Sequence, residues 1–300
     1  LLSAIGDEMN TVATVWLAAT VFRTGAGYLL AVLSWAAPDA VGWLAEHEQE
    51  ILRLKRVAIA GMGGVGGVHL VTLARLGIGA FHIADFDNFD LPNFNRQAGA
   101  MMSTVGKPKI EVMAAQARDI NPEVRLREFP QGISRANMDE FLDGVDIYID
   151  GLDFFAFDAR RDVFAACAAK GIPAITAGPI GMGAALLVFM PGGMCFDDYF
   201  GWGDLPDVEK ALRFAVGLAP AMLHRGYLVD ARAVDLARRR GPSTAMACQI
   251  CAGVAGTEAL KLLLGLPSQE HRYDEDACVA NFEVERPHGD IARQWMSRSV

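Results

Sequence analysis

The sequence predicts an α/β fold with a doubly wound, mostly parallel sheet, and two observations predict it. Short apolar runs, typical of strands buried on both faces, alternate with helical segments over about residues 57–178. A glycine-rich turn at 61–66 follows the first run directly, as at the strand-to-helix turns of such sheets. The repeated order of strand, helix and strand requires right-handed crossovers, and therefore a parallel sheet.

Each element is predicted from its own stretch of sequence. Strands are predicted from apolar or alternating residues at 57–60, 80–87, 124–130, 145–153 and 172–178. Helices are predicted from helical periodicity at 42–54, 65–76, 107–120, 139–142, 160–170 and 252–265. Asn121-Pro122 ends the third of these helices, because the residue before a proline disfavours helical geometry.

The composition is that of a globular protein with its own core. The chain has 300 residues, of which 52% are hydrophobic and 21% charged. Its formal net charge of −9 disfavours a nucleic-acid surface, because phosphate backbones are bound chiefly through lysine and arginine. Five cysteines without a spaced framework fit a reducing compartment, so we expect a cytoplasmic protein.

The first 42 residues form a predicted apolar helical leader. Residues 11–37 are strongly apolar, but Arg23 and two glycines divide them into pieces shorter than the roughly 20 residues of a membrane-spanning helix. We therefore expect N-terminal helices that pack on the protein or at an interface, and no membrane insertion. Pro191-Gly192-Gly193 marks the predicted internal boundary, before a segment at 191–300 that completes the same fold.

The glycine-rich turn predicts a phosphate-binding site. Its glycines leave backbone N–H groups bare at the start of a helix, where a phosphate is favoured; they are Gly61, Gly63, Gly64 and Gly66. An acid about 20 residues further on commonly binds a ribose hydroxyl, and Asp85 has this position. Asp87, Asp150 and Asp153 also follow strands of the predicted sheet. These features alone leave NAD and ATP equally open.

The stretch "LPNFNRQAGAMMSTVGKPK" at 91–109 favours ATP. It supplies a guanidinium, an ammonium and two amides after the second strand, from Asn93, Arg96, Gln97 and Lys109. Hydride transfer does not need so many donors, whereas phosphoryl or adenylyl transfer must stabilise the charge of a leaving pyrophosphate. The Asp153 carboxylate suits Mg²⁺, and the alternative for this residue is a helix N-cap.

Taken together, these motifs resemble the ThiF/MoeB/HesA superfamily, the bacterial relatives of ubiquitin-activating enzymes. The resemblance extends from about residue 43 to residue 265. It rests on the ordered set GMGGVG (61–66), ARLGIG (74–79), DFD (85–87), NFNRQ (93–97), VGKPK (105–109), INPEV (120–124) and DGLD (150–153).

The resemblance implies a Rossmann-like ATP-binding domain at 43–190, followed by a crossover and substrate-facing segment. ATP would be held by the four glycines, Asp85 and Asp87, its phosphates by Asn93, Arg96, Gln97 and Lys109, and Mg²⁺ by Asp153. Arg96, Lys109 and Asp153 would be the catalytic residues. The implied reaction is attack of a carboxylate on the ATP α-phosphate, which gives an acyl-adenylate and pyrophosphate.

The resemblance implies two substrate classes. We prefer the C-terminal glycine of a ubiquitin-like sulfur-carrier protein, because the net acidity of the chain disfavours tRNA. The alternative is a small carboxylate on a modified tRNA nucleoside, as in tRNA threonylcarbamoyladenosine dehydratases, and the basic cluster at 235–240 keeps it open. A non-catalytic nucleotide-binding partner and an NAD-dependent oxidoreductase remain as further alternatives.

The chain departs from the family pattern in two places. Phe154 stands where an Asn commonly follows the last acid, and Arg160 comes two residues later than the family's arginine. Dimeric members also bring an N-terminal arginine to the partner's ATP, and the leader here offers only Arg23. From the apolar leader and the family's pairing we expect a homodimer with residues 11–55 at the interface.

The cysteines predict no structural zinc. Zinc-bearing members of the family have two CxxC pairs, and this chain has one, Cys248 to Cys251. That pair precedes the last predicted helix, where a thiolate would be favoured, so Cys248 or Cys251 is a candidate nucleophile. The alternative is two small core residues. Cys195, at the start of the crossover segment, is a second candidate nucleophile.

Overall fold

The computed structural model describes residues 44–239 and 241–266, together with the backbone of 277–282. The chain divides into two compact units, 1–51 and 52–300. Within the first unit, the Ala45 N–H donates to Glu48 Oε2 at 2.7 Å and so satisfies a free donor before the first described helix. The predicted leader at 1–42, including Arg23, lies outside the described residues. The leader and its dimer contacts therefore stay predictions.

Among the described residues, one sheet has seven strands, in the order β3-β2-β1-β4-β5-β6-β7. The strands are β1 (Arg56–Ala60), β2 (Ala80–Ala84), β3 (Arg125–Phe129), β4 (Ile147–Asp150), β5 (Ala174–Ile180), β6 (Gly183–Phe189) and β7 (Ala277–Phe282). Strands β1 to β5 are parallel, whereas β6 and β7 are antiparallel to their neighbours. The doubly wound, mostly parallel α/β fold is therefore confirmed.

Helices follow most of the parallel strands, as predicted. The described helices are α1 (Glu46–Leu54), α2 (Gly64–Arg75), α3 (Lys109–Ile120), α4 (Met138–Phe141), α5 (Phe157–Lys170), α6 (Phe196–Phe200), α7 (Asp207–Leu218) and α8 (Ala245–Leu264). Helix α5 ends at Gly171, whose φ of 69° is the left-handed geometry that glycine permits. Helix α3 ends at Asn121, just before Pro122, where the sequence predicted its end.

Helix α8 has the length and apolar composition of a membrane-spanning helix. It nevertheless packs against α2, β5 and β6 through a face of small residues. Half of its most apolar stretch is buried inside the protein. These contacts are those of a helix packed against the core of the domain.

The glycine loop is a place of close backbone approach. Gly61 has a φ of 90°, and its N–H donates to the carbonyl oxygen of Ala84 in β2 at 2.7 Å. A Cβ on Gly61 would lie 2.1 Å from the carbonyl oxygen of Gly151, and one on Gly66 would lie 1.7 Å from that of Gly61. These contacts let α2 start directly above the end of β1, with its N-terminus open to a ligand.

Replacing Gly66 by alanine is therefore expected to destabilise the fold by about 1–3 kcal/mol, because the new methyl group meets backbone that cannot rotate away. Gly253→Ala is the matched control, since nothing lies within 4 Å of a Cβ at this exposed position of helix α8. That change should stabilise the protein by about 0.5–1 kcal/mol, through better helix propensity. Urea unfolding measures both; a Gly66→Ala protein as stable as the wild type would contradict the close approach.

Beyond the parallel strands, an aromatic cluster joins the crossover segment to the sheet. It comprises Phe154, Phe157, Phe196, Phe200, Trp202 and Phe214, from the loop before α5, the start of α5 and the region of α6 and α7. Phe157 and Trp202 meet edge to face at 5.2 Å, and Trp202 and Phe214 at 5.7 Å. Residues 196–214 are thus packed on the same sheet as the glycine loop, and the predicted boundary at 191 stays a prediction.

Candidate functional site

The structure joins Asp85 to the glycine loop. Asp85 Oδ2 accepts a hydrogen bond from the Met62 N–H at 2.6 Å, and Oδ1 accepts one from the Asp87 N–H at 2.7 Å. Burial raises the pKa of Asp85, and these two N–H groups and the charge of Lys109 oppose that rise. The carboxylate therefore lies beside the glycine loop, at the end of β2, and its contact with a ribose stays a prediction.

Lys109, at the start of α3, is a nearly buried ammonium group. It is 6% exposed, and its Nζ lies 3.0 Å from Asp87 Oδ2. Its backbone N–H also donates to the Asp87 carbonyl oxygen at 2.9 Å. Asp87 itself is exposed. The Lys109 ammonium group therefore lies next to an exposed carboxylate, while nearly all of the lysine side chain is buried.

Arg96 and Gln97 lie against the glycine loop. A Cβ on Gly64 would lie 3.6 Å from Arg96 Cγ, and one on Gly63 would lie 3.5 Å from Gln97 Nε2. Gln97 is 7% exposed, and its Oε1 has no hydrogen-bond partner in the part of the chain that the structure describes. An unsatisfied buried amide beside open backbone N–H groups fits a site completed by a polar ligand.

Asn93 has a structural role of its own. Its Oδ1 accepts a hydrogen bond from the Asp90 N–H at 3.0 Å, as part of a capping box on the short 3₁₀ helix Leu91–Asn93. Arg96 donates to Asn95 Oδ1 at 2.9 Å and so lies along the same turn. The predicted contact of Asn93 with phosphate stays a prediction.

Asp150, at the end of β4, forms a buried ion pair with Arg160 of α5. Arg160 Nε donates to Asp150 Oδ2 at 2.8 Å, and both side chains are 2% exposed. The same oxygen accepts a hydrogen bond from Thr176 Oγ1 at 2.9 Å, and Oδ1 accepts one from the Leu152 N–H at 3.1 Å. Asp150 is thus fully engaged in holding the loop after β4.

Asp153, in contrast, is exposed. Its Oδ1 accepts a hydrogen bond from the Phe155 N–H at 3.0 Å, which closes a turn, and the N-cap of α5 is Ala156. Asp153 therefore does not cap the helix, which was the alternative for this residue.

The donor set fits a magnesium ion that arrives with a nucleotide. Among the described residues, no three His, Cys, Asp or Glu side chains lie close enough to hold a metal by themselves. Mg²⁺ is typically bound through one or two carboxylates together with the phosphates of a substrate. One exposed carboxylate at Asp153, on the same sheet edge as the glycine loop, meets that requirement.

Arg160 is the site residue that our sequence reasoning did not assign. The sequence did contain a signal for its role. A carboxylate that ends a buried strand, such as Asp150, needs a cationic partner, and Arg160 follows on the next helix. The two additional residues around Phe154 obscured it.

Burial raises the pKa of each of the three candidate cysteines, although Ser243 and the charge of Arg96 oppose that rise at Cys248. Helix α8 begins at Ala245, capped by Thr244 Oγ1, so Cys248 and Cys251 lie inside the helix and not at its N-terminus as expected. Both are buried, and burial raises the pKa of each thiol. Cys195 caps α6, and its thiol donates to Asp198 Oδ2 at 3.0 Å; burial raises its pKa too. The roles of Cys251 and Cys195 as nucleophiles therefore stay predictions, without support from the pKa of either thiol.

His69, on α2 below the glycine loop, is a buried neutral histidine. It is 1% exposed, and neither ring nitrogen has a hydrogen-bond partner within the described ranges. Burial lowers the pKa of His69 to about 4, and the charge of Asp150 opposes this shift only in part.

The free energy of unfolding should therefore fall as the pH drops from about 6.5 towards 4. In this range His69 becomes protonated in the unfolded chain but stays neutral in the folded chain. The contribution is at most about 1.4 kcal/mol for each pH unit. Replacing His69 by leucine should flatten this part of the urea-unfolding profile. Equal slopes for the wild type and His69→Leu would contradict the buried neutral state.

Comparison with known proteins identifies the family of the chain. The family model of the ThiF family matches residues 39–287. The chain belongs to the ThiF family. The resemblance inferred from the motifs is thereby confirmed, and ThiF-type adenylyltransferases are among its relatives.

Two curated ThiF-family relatives and one solved structure illustrate the likeness. The chain is 36% identical over 137 residues to the tRNA threonylcarbamoyladenosine dehydratase of Bacillus subtilis, covering 45% of this chain and 52% of that protein. It is 29% identical over 190 residues to the sulfur carrier protein ThiS adenylyltransferase of Escherichia coli, covering 63% and 74%. The E. coli dehydratase TcdA in complex with ATP superposes with a TM-score of 0.55 at 24% identity, covering 76% and 93%. The chain thus spans only about half the length of the dehydratase it matches.

Proposed function

We propose that the chain is an ATP-dependent adenylyltransferase that activates a carboxylate as an acyl-adenylate. The observation that supports this most is the position of Arg96 and Gln97 against the glycine loop, with Lys109 and Asp85 at the same sheet edge. Membership of the ThiF family and the likeness to an ATP-bound structure support the choice of ATP over NAD.

In this proposal the described residues bind ATP before they act on it. The N–H groups of the glycine loop donate hydrogen bonds to phosphate oxygens, and the Asp85 carboxylate accepts a hydrogen bond from a ribose hydroxyl. Gln97 Oε1 is an acceptor without a partner, so it gains a hydrogen bond from a donor on the nucleotide, such as a ribose hydroxyl, which stabilises the complex.

Catalysis then depends on charge. As the carboxylate attacks the α-phosphate, the bond to pyrophosphate breaks and negative charge grows on the leaving group. Arg96 and Lys109 stabilise that charge, and Lys109 exchanges its ion pair with Asp87 for the phosphates. Mg²⁺, held by Asp153, would neutralise phosphate charge and orient the triphosphate for in-line attack.

For the substrate we propose a small carboxylate on a modified tRNA nucleoside, as in a threonylcarbamoyladenosine dehydratase. This reverses our preference from the sequence, because three relatives with that name match at 35–37% identity. The C-terminal glycine of a sulfur-carrier protein is the second candidate, and the longer match to the ThiS adenylyltransferase favours it.

ATP–pyrophosphate exchange tests the proposed adenylyltransferase activity. The substrate that the exchange requires decides between the two candidate substrates. We expect exchange to require tRNA that contains threonylcarbamoyladenosine, and to be absent with unmodified tRNA. Exchange that instead requires a sulfur-carrier protein, and is lost when its last glycine is deleted, would favour the second candidate. Tight NAD binding without ATP binding would overturn the adenylyltransferase proposal altogether.

A further inference from the structure

Helix α7 of the crossover segment touches helix α5 and the loop before it at three points. The Phe214 ring lies 4.6 Å from Arg160 Cζ, in a cation–π contact. It also packs against Phe154, with ring centroids 5.1 Å apart. One helical turn earlier, Lys210 Nζ lies 3.6 Å from Asp158 Oδ1. The crossover segment and the Asp153 loop are therefore in direct contact.

Arg160 holds the backbone of that loop together with Asp150. Besides its bond to Asp150, its guanidinium donates to the carbonyl oxygens of Leu152 and Asp153 at 2.9 Å and of Phe154 at 3.1 Å. Three consecutive carbonyl oxygens around the exposed Asp153 carboxylate thus accept hydrogen bonds from one buried side chain. The open face of the same guanidinium rests on Phe214.

Phe154 gains a physical explanation from these contacts. It stands where the family commonly has an Asn, and its ring is inserted between Phe155, Phe157 and Phe214. The departure from the family pattern therefore replaces a polar side chain beside Asp153 with an apolar anchor to α7.

We propose that Arg160 and Phe214 are positioning residues, through which helix α7 sets the orientation of the Asp153 carboxylate towards Mg²⁺ bound with ATP. The inference rests on the proposed function and deepens it. Because an arginine can donate to several carbonyl oxygens in one plane while its face contacts a ring, neither leucine at 214 nor lysine at 160 preserves the arrangement.

Calorimetric titration with ATP, in Mg²⁺ and again in EDTA, tests the inference without turnover. We expect Mg²⁺ to strengthen ATP binding by the wild type, and Asp153→Asn to lose this gain. Phe214→Leu should lose about tenfold of the gain, while its affinity for ATP in EDTA stays that of the wild type. Arg160→Lys should lose the same part of the Mg²⁺ gain and keep its affinity in EDTA. If Arg160→Lys does not fold, Phe214→Leu alone still tests the inference.

Phe189→Leu is the matched control, because Phe189 is a buried ring of β6 that packs on Phe164, Phe196 and Tyr199. It should keep the full gain from Mg²⁺. A wild-type protein that does not bind ATP would overturn the proposed function. If the wild type shows the gain, then full retention in Phe214→Leu, or equal losses in Mg²⁺ and in EDTA, would overturn the positioning role and leave the function standing.

Discussion

Replacing Lys109 by alanine is expected to lower the rate of ATP–pyrophosphate exchange by about 100- to 1,000-fold. The ammonium is nearly buried beside Asp87, so its charge is poorly screened by water and acts strongly on a leaving pyrophosphate. The variant also leaves the Asp87 carboxylate without its partner, next to the phosphates. Affinity for ATP should change by less than about tenfold, because the contact strengthens mainly in the transition state.

Lys107→Ala is the matched control for this prediction, since Lys107 lies two residues away and is exposed. Its exchange rate should equal that of the wild type. Exchange rate and ATP affinity should be measured on the same preparations. Small and equal effects of Lys109→Ala on both quantities would favour the alternative of a non-catalytic nucleotide-binding partner.

Replacing Asp150 by alanine should lower the free energy of unfolding by about 3–5 kcal/mol. The change leaves the Arg160 guanidinium buried without its counter-charge and removes the acceptor of Thr176. The loss is the cost of an uncompensated buried charge, and it exceeds what the intact pair contributes to stability. Urea denaturation at neutral pH measures it.

Asp139→Ala provides the comparison, because Asp139 pairs with Lys170 at 2.8 Å while its side chain is 93% exposed. Its loss should cost less than about 1 kcal/mol. An Asp150→Ala protein with a stability loss as small as that of Asp139→Ala would mean that the Asp150–Arg160 pair is not sealed from water.

Local signals predicted the strands that position the site. Strands β1 to β5 and the helices between them follow from apolar runs, glycine punctuation and Asn121-Pro122, each read within a few residues. Strand β6 was not predicted, because Gly183–Phe189 is apolar throughout and lacks the alternation expected of an antiparallel strand. Antiparallel pairing with β5 buries all of it but its first residue.

Some residues of the candidate site could be predicted from the sequence and others could not. The glycines, Asp85, Lys109 and Asp153 are recognisable because their types and spacing follow from chemistry at strand ends. The roles of Arg160 and Phe214 depend on contacts between segments far apart in the chain, which no local pattern records. The start of α8 was misplaced for another reason, because Thr244 and the alanines that follow extend the helix ahead of the cysteine pair.

The packing of the glycine loop on Gly151 also constrains the order of folding. Strand β1 pairs with β2 nearby in sequence, but its other neighbour, β4, is joined to it by contacts such as Arg56 N–H to Asp146 across 90 residues. Bringing the two ends of so long a segment together costs conformational entropy, which slows the pairing of β1 with β4. During synthesis the glycine loop therefore emerges long before the strand against which it is shaped. We therefore expect the glycine loop to take its final shape only after β4 has docked against it.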